Sequence, residues 1–295
     1  MSPLLARAED RTLLSPAEFA RIAEIAKREA GLALTVTKNS MISARVARRL
    51  RDTRTPDFGS YVALLESRRG ADELRMLISA LTTNVTHFFR EDHHFRYLET
   101  AVLPRLVADA RGGRPVRLWS AGCATGQEPY SIAMTVLRMF PDAAAHDLRI
   151  LATDIDETVL ERATRGRYTP AQLDSVPVPD RRRFFVEMEG GEMEVAPDLR
   201  RLVTFRPLNL VGAWPLQRSF DAIFCRNVVI YFDGETQAAL WPRFHRALAP
   251  GGVLFIGHSE RLDPLTARRF LSAGVTTYRK ASDGTPPHES ARSWH

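Results

Sequence analysis

The sequence predicts an α/β fold preceded by a small all-α domain. Three observations predict it. No strand-like alternation appears before residue 110. Short apolar runs alternate with helical patterns after Gly112-Gly113-Arg114-Pro115. A strand, a glycine loop and a helix then follow one another from residue 116 to 140. The 295 residues are 44% hydrophobic and 26% charged, an ordinary globular balance with room for two domains.

The helices come first. Ser15-Pro16-Ala17-Glu18 reads as a helix start, with Ser as N-cap, Pro at the first helical position and Glu three residues after the cap. Phe19, Ile22, Ala23, Ile25 and Ala26 continue at helical spacing, and Gly31 is the expected stop. A second helix is predicted from about Ser40 to Asp52. Ile42, Val46 and Leu50 are expected to line one side, and Arg45, Arg48, Arg49 and Arg51 the opposite side. Helices at about Phe58–Arg68 and Ala71–Leu81 complete the set.

Strands are predicted at 116–120, 148–153, 202–206, 221–226, 252–257 and 275–279, with helices at 127–140, 156–164 and 235–248. Residues 170–201 break that rhythm. Pro170, Pro177 and Pro179 interrupt it, and Phe184-Phe185-Val186, Gly190-Gly191 and Met193-Glu194-Val195 read as a short hairpin inserted at the sheet's edge. The organisation expected is a helical domain at 1–85, a linker and connecting helix at 86–112 and an α/β domain at 113–280. The α/β domain carries an insertion at about 170–204, and a flexible tail follows at 281–295.

Several classes fall away. No apolar stretch approaches the roughly 18–20 residues of a membrane span, and residues 1–12 lack the apolar core of a signal peptide. Cys123 and Cys225 lie far apart and form no CxxC pair, which fits a reducing cytosol. The histidines show no HxxxH spacing. The adjacent His93 and His94 are expected to point to different faces of a helix, so no metal site is expected. The net charge of +6 suggests an acidic partner: nucleic acid, a membrane surface or an acidic protein. Eight basic and two acidic residues between Lys27 and Arg54 account for all of it.

The most informative segment runs from Arg117 through Gly122 and Gly126 to Glu128-Pro129. In an open α/β sheet the ligand sits at the carboxyl ends of the strands, and glycines there let the backbone approach it closely. No Gly-Lys-Ser/Thr follows, and the spacing is not GxGxxG, which disfavours a pyrophosphate dinucleotide. The second strand ends at Asp154, with Asp156 beyond it. Such a carboxylate reads either as a ligand contact or as a helix N-cap, and the two aspartates could divide these roles. Arg226-Asn227 follows a buried strand at the same sheet edge. It reads either as part of the site or as a pair that satisfies local carbonyls.

Taken in order, Leu81 to Glu91, Trp119 to Ser131, Thr153 to Asp156, Leu208 to Leu210, Phe220 to Asp233 and Phe255 to Glu260 resemble the chemotaxis receptor glutamate O-methyltransferases (CheR-type). The likeness spans about residues 15–280. It implies a Rossmann-like class I S-adenosylmethionine-dependent methyltransferase domain with a small β-hairpin subdomain, behind a helical receptor-docking domain. The implied cofactor is S-adenosyl-L-methionine and the product S-adenosyl-L-homocysteine. Implied cofactor contacts are Asn84, Thr86, Arg90, Glu128, Asp154, Asn209, Leu210, Arg226 and Asn227, alongside Gly122 of the glycine loop. Arg90 and Tyr231 are implied to lie nearest the methyl transfer.

The implied substrate is a set of glutamates on the acidic cytoplasmic helical bundle of methyl-accepting chemotaxis receptors, docked on Arg45, Arg48, Arg49 and Arg51. A cytoplasmic monomer is expected, with no nucleic-acid partner and no membrane insertion. In the family resembled, members that grip a receptor C-terminal peptide tend to have a longer, glycine-richer loop here, so the compact Gly190-Gly191 turn implies recognition without that tether. Two competing readings are a class I methyltransferase acting on nucleic acid, suggested by the basic charge, and a non-catalytic S-adenosylmethionine-sensing adaptor.

Overall fold

The computed structural model describes residues 13–281. The expected tail at 281–295, apart from Ala281, and the N-terminal 1–12 lie outside the described residues. Chain contacts divide the protein into two units. One runs up to Thr83 and includes Tyr231–Asp233, and the other comprises Asn84–Ile230 and the chain from Gly234 onward.

The first unit is helical: α1 (Pro16–Ala30), α2 (Asn39–Asp52), α3 (Phe58–Glu66) and α4 (Ala71–Leu81). α1 begins with the expected reciprocal cap. Ser15 Oγ accepts from Glu18 N at 3.3 Å, and the Glu18 carboxylate accepts from Ser15 N at 2.7 Å. Gly31 ends α1 in the left-handed region at φ 70°. Phe19, Ile22, Ile25, Ile42, Val46, Tyr61, Leu65, Leu77 and Ile78 form the buried interior. The 231–233 segment joins this unit through Ala33 N, which donates to the Tyr231 carbonyl at 2.8 Å, and an ion pair of Lys27 with Asp233 at 2.6 Å.

The expected separation of α2 into an apolar side and an arginine side is corrected here. Arg49 lies three residues beyond Val46, so a period of 3.6 returns it to the buried face. There its guanidinium donates to both oxygens of Glu73 at 3.0 and 2.6 Å, and Tyr61 Oη donates to the same carboxylate at 2.6 Å. Arg45 donates to the carbonyls of Leu81 and Thr82, both at 3.0 Å, at the end of α4. Arg48 and Arg51 are the two of the quartet that face solvent, Arg48 with 79% of its side chain exposed.

The second unit opens with α5 (His93–Tyr97), a π-helical turn at Leu98–Val102 and α6 (Leu103–Arg111). Pro104, in the first turn of α6, has no N–H to continue the α-ladder, which accounts for the widened turn before it. Then follow β1 (Val116–Ala121), α7 (Gln127–Met139), β2 (Leu148–Asp154), α8 (Glu157–Arg165) and β3 (Arg167–Tyr168). After them come α9 (Val178–Phe184), β4 (Phe185–Glu187), β5 (Met193–Val195), α10 (Pro197–Leu202), β6 (Val203–Pro207) and β7 (Phe220–Cys225). The unit ends with α11 (Gly234–Ala247), β8 (Leu248–Ile256), α12 (Pro264–Ala267), β9 (Phe270–Gly274) and β10 (Thr277–Lys280).

Seven strands form one sheet in the order β6-β2-β1-β7-β8-β10-β9. β6, β2, β1, β7 and β8 are parallel, while β10 runs antiparallel to both β8 and β9. The order reverses between β1 and β7, so the carboxyl ends of these strands part and leave a crevice at the sheet edge. α6 and α7 pack on β1, α8 on β2 and β6, and α11 on β8. Trp119, Tyr130, Phe140, Phe224 and Phe255 are fully buried, with Phe224 and Phe255 stacked at 4.2 Å.

The hairpin reading holds for β4 and β5, joined across Gly190 and Gly191, both at positive φ. It missed β3, which pairs with β5 and makes a three-stranded sheet that begins before residue 170. A two-residue strand carries no periodicity to read. β9 was missed for a related reason: Ser272, Ala273 and Gly274 have weak strand propensity, and β10 supplies the pairing.

Candidate active site

The carboxyl end of β1 turns through Gly122-Cys123-Ala124-Thr125-Gly126 into the N-terminus of α7. Gly122 N and Cys123 N donate to the Thr153 carbonyl at 2.8 and 2.9 Å, which ties the loop to β2. Gly122 sits at φ +83°, and a Cβ there would lie 2.3 Å from Val228 Cγ2. The glycine therefore lets the β7 loop close over the β1 loop.

Asp154, at the end of β2, is 8% exposed. Its Oδ2 accepts from Ala124 N at 2.8 Å and its Oδ1 from Asp156 N at 3.0 Å. Asp156 is the N-cap of α8, accepting from Thr158 N at 2.9 Å. The two aspartates divide the roles: one closes the glycine loop and the other starts the helix. Each Asp154 oxygen keeps a further lone pair for a ligand. Burial pushes its carboxyl above the ordinary range, against the pull of the backbone N–H groups.

Arg226 follows β7 and is 5% exposed. Its guanidinium donates to Glu128 Oε2 at 3.1 Å and to the Arg90 carbonyl, and it stands 3.4 Å from Glu91 Oε2. Glu128 Oε1 accepts from Ser120 Oγ at 2.7 Å. Burial raises the Glu128 carboxyl, while Arg226 and Ser120 act to lower it. Asn227 holds φ +60°, and its Nδ2 lies 3.4 Å from Glu91 Oε1. Glu260 accepts from Val228 N at 2.9 Å, Val229 N at 3.0 Å and Gly257 N.

Of the remaining predicted residues, Asn84 donates to Asp156 Oδ2 at 2.8 Å, and Leu208 N donates to the Asp154 carbonyl at 2.9 Å. The second bond brings 208–210 to the end of β2. Asn209 Oδ1 accepts from Val211 N at 3.0 Å, and Leu210 is buried. Thr86 is half-buried. Arg90 donates from Nη1 to the Val85 carbonyl at 3.2 Å. Tyr231 groups with the helical unit, where its hydroxyl donates to the Thr83 carbonyl at 3.4 Å.

Four of the six described non-glycine residues at positive φ belong to these loops: Phe89, Glu91, Ala124 and Asn227. Such conformations cost about 1–3 kcal/mol each and persist where the surroundings over-determine them. Glu91 and Glu260 were not singled out from sequence. The cue available was their place at the ends of two motif stretches.

The expectation that His93 and His94 point apart is overturned. Their rings are 4.1 Å apart, and ligand atoms of Glu91, His93 and His94 lie within 4.8 Å of one another. The two residues sit at the tight start of α5, where a side chain can turn back over its neighbour. The Arg226 guanidinium beside the same carboxylate opposes a cation there. Burial, then the Arg226 and His93 charges, depress His94 to about 3, so it is neutral at physiological pH.

Residues 17–82 match the family described as CheR methyltransferase, all-alpha domain, and residues 84–278 match CheR methyltransferase, SAM binding domain. A probable chemotaxis protein methyltransferase of Rhizobium etli is 45% identical over 259 residues, covering 87% of this chain and 97% of that protein. A chemotaxis protein methyltransferase of Escherichia coli is 41% identical over 284 residues, covering 95% and 96%. Chemotaxis protein methyltransferase 2 of Pseudomonas aeruginosa is 39% identical over 268 residues, covering 90% and 93%.

Proposed function

The chain belongs to the CheR methyltransferase family, and from that premise we propose that it forms methyl esters on glutamate side chains of bacterial chemoreceptors. The enzyme is an S-adenosylmethionine-dependent methyltransferase of chemotaxis. One observation supports the cofactor part of this reading, the loops at the carboxyl ends of β1, β2 and β7 that carry Glu128, Asp154, Arg226 and Asn227 at one sheet edge; the glutamate acceptor rests on the family.

These residues fit the cofactor. Gly122 and Gly257 keep the rim bare: a Cβ at Gly257 would come within 2.6 Å of Asn227 Nδ2 and 2.9 Å of Glu260 Oε2. Asp154 and Glu128 offer acceptors suited to ribose hydroxyls and an amino group. The crevice holds more carboxyl groups than guanidinium groups, which suits a cationic ligand. When bound, the cofactor supplies the methyl group from a sulfonium.

The substrate glutamate has an unperturbed pKa of about 4.3 and is already the anionic nucleophile at neutral pH. No residue of this chain has to remove a proton. Its work is positional, holding carboxylate and methyl in line at about 3–3.5 Å. Arg90 orients a carboxylate through its forked donors, and Tyr231 donates a hydrogen bond that fixes the acceptor. Pairing tight enough to blunt the nucleophile would slow transfer, so both groups act as guides. The receptor's acidic helical bundle docks on the exposed Arg48 and Arg51 of α2. The short turn between β4 and β5 favours recognition without a peptide tether, by a monomer in the cytoplasm.

Incubation with methyl-labelled S-adenosylmethionine and receptor-containing membranes tests the reading. Label released by mild base is expected, as for a methyl ester. Base-stable label, or none, would overturn the glutamate assignment.

A further inference from the structure

We propose that Glu91 is a positioning residue of the active site, which sets the pose of both Arg226 and Asn227. This rests on the reading above that these two residues hold S-adenosylmethionine. Glu91 touches neither strand end through its own element, yet its one carboxylate reaches two loops. Oε1 faces three donors: Asn227 Nδ2 at 3.4 Å, His258 N at 3.3 Å and His258 Nδ1 at 3.0 Å. Oε2 makes no hydrogen bond and is held by charge: the Arg226 guanidinium stands 3.4 Å away, with the neutral His94 Nδ1 at 3.6 Å. Residues 136 and 167 positions away in the chain are thereby referred to a single group.

The surroundings divide the labour. Glu260 holds the backbone of the turn after β7 through Val228 N and Val229 N. Glu128 and the Arg90 carbonyl hold one side of Arg226. Glu91 is the group that connects the Arg226 and Asn227 side chains to each other and to the loop after β8. Burial acts against its charge, but the His258 hydrogen bonds and the Arg226 charge prevail and hold its carboxyl at about 2, so it stays ionised at neutral pH. Glu91 itself adopts φ +56°, a strained setting for a non-glycine residue that aims its side chain between the loops.

Glutamine cannot replace it. Donors bond Oε1 and the Arg226 charge faces Oε2, whereas an amide is uncharged and presents a donor on one side whichever way it is flipped. Glu91→Gln therefore loses the ion pair with Arg226 in either pose, and in one of them also sets N–H against N–H on the Asn227–His258 side. Glu91→Asp keeps the charge but withdraws the carboxylate by one methylene, so it no longer spans both loops.

Calorimetric titration with S-adenosylhomocysteine, together with melting curves, tests the proposal on the full chain. Both variants are expected to bind at least about 10-fold more weakly than wild type, about 1.4 kcal/mol, with a rise in KM for S-adenosylmethionine larger than the fall in kcat. Glu260→Gln, acting on the turn's backbone, is expected to lower the melting temperature more than Glu91→Asp does. A wild-type chain that does not bind S-adenosylhomocysteine would overturn the cofactor reading itself. Wild-type binding, with either folded variant matching it in affinity, would overturn the role of Glu91 alone.

Discussion

Asp154 shows how one side chain carries both the fold and the site. Its two oxygens accept from Ala124 N and Asp156 N, so Asp154→Ala leaves two buried N–H groups without partners. Each such loss costs about 1–3 kcal/mol. The expected outcome is a lower melting temperature together with S-adenosylhomocysteine binding weakened at least about 10-fold, read by thermal unfolding and calorimetry. Asp154→Asn, which keeps one acceptor oxygen, should recover part of the stability. From sequence the residue was legible as either a cap or a ligand contact, and Asp156 was legible as the alternative cap. Its actual first partner, Ala124 N, lies 30 residues away on another strand's loop, where no local pattern points.

At the scale of the element, α2 separates two kinds of arginine that share one run of sequence. Arg49 has a half-buried guanidinium on Glu73, which Tyr61 also engages. Arg49→Ala strands that carboxylate beside a buried tyrosine, and a loss of about 2–4 kcal/mol is expected in denaturant unfolding. Arg48→Ala with Arg51→Ala removes exposed charges, and surface changes of this kind shift stability by roughly 0.5 kcal/mol or less. That double variant should keep its unfolding midpoint and its S-adenosylhomocysteine affinity, and show a several-fold higher KM for receptor membranes. Unchanged receptor kinetics would remove α2 from the docking surface. The helix itself was legible from its period, and so was the basic cluster. The inward turn of Arg49 was not, because a charged residue is read as outward until its buried partner is known.

At the scale of the whole molecule, stability against acid follows from groups buried far from their usual titration range. His94 is wholly buried, with Nε2 hydrogen-bonded to Thr276 Oγ1 at 2.9 Å. Its pKa lies near 3 in the folded chain, against 6.5 as the reference for the unfolded chain. Between those values the unfolded chain binds one more proton, so stability falls as pH falls. The contribution is fully present above 6.5 and is lost progressively toward 3. Glu91, lowered to about 2 from 4.5, adds a loss of the same sign further into acid. Denaturant unfolding at pH 6.5 and 5 should differ by about 2 kcal/mol from the histidine alone. His94→Asn should flatten that slope, and an unchanged slope would show that the imidazole does not report the transition.

The charge of the molecule was legible at the same scale. The whole net +6 resides between Lys27 and Arg54, and the helical unit contains that stretch. The family match removes the need for a nucleic-acid partner to explain it.

What the sequence determined by itself was local in range: the capping box of α1, the helical periods, the glycine loop between β1 and α7, and the alternation of strands and helices. Each of these signals acts over a few residues, through backbone hydrogen bonds or a repeating apolar face. Only the tertiary structure decided which charges meet. The order β6-β2-β1-β7-β8-β10-β9 brings Arg226 to Glu128 across 98 residues and His258 to Glu91 across 167. Such pairings depend on how the crossovers route the chain across the sheet, and no short window of sequence carries that information.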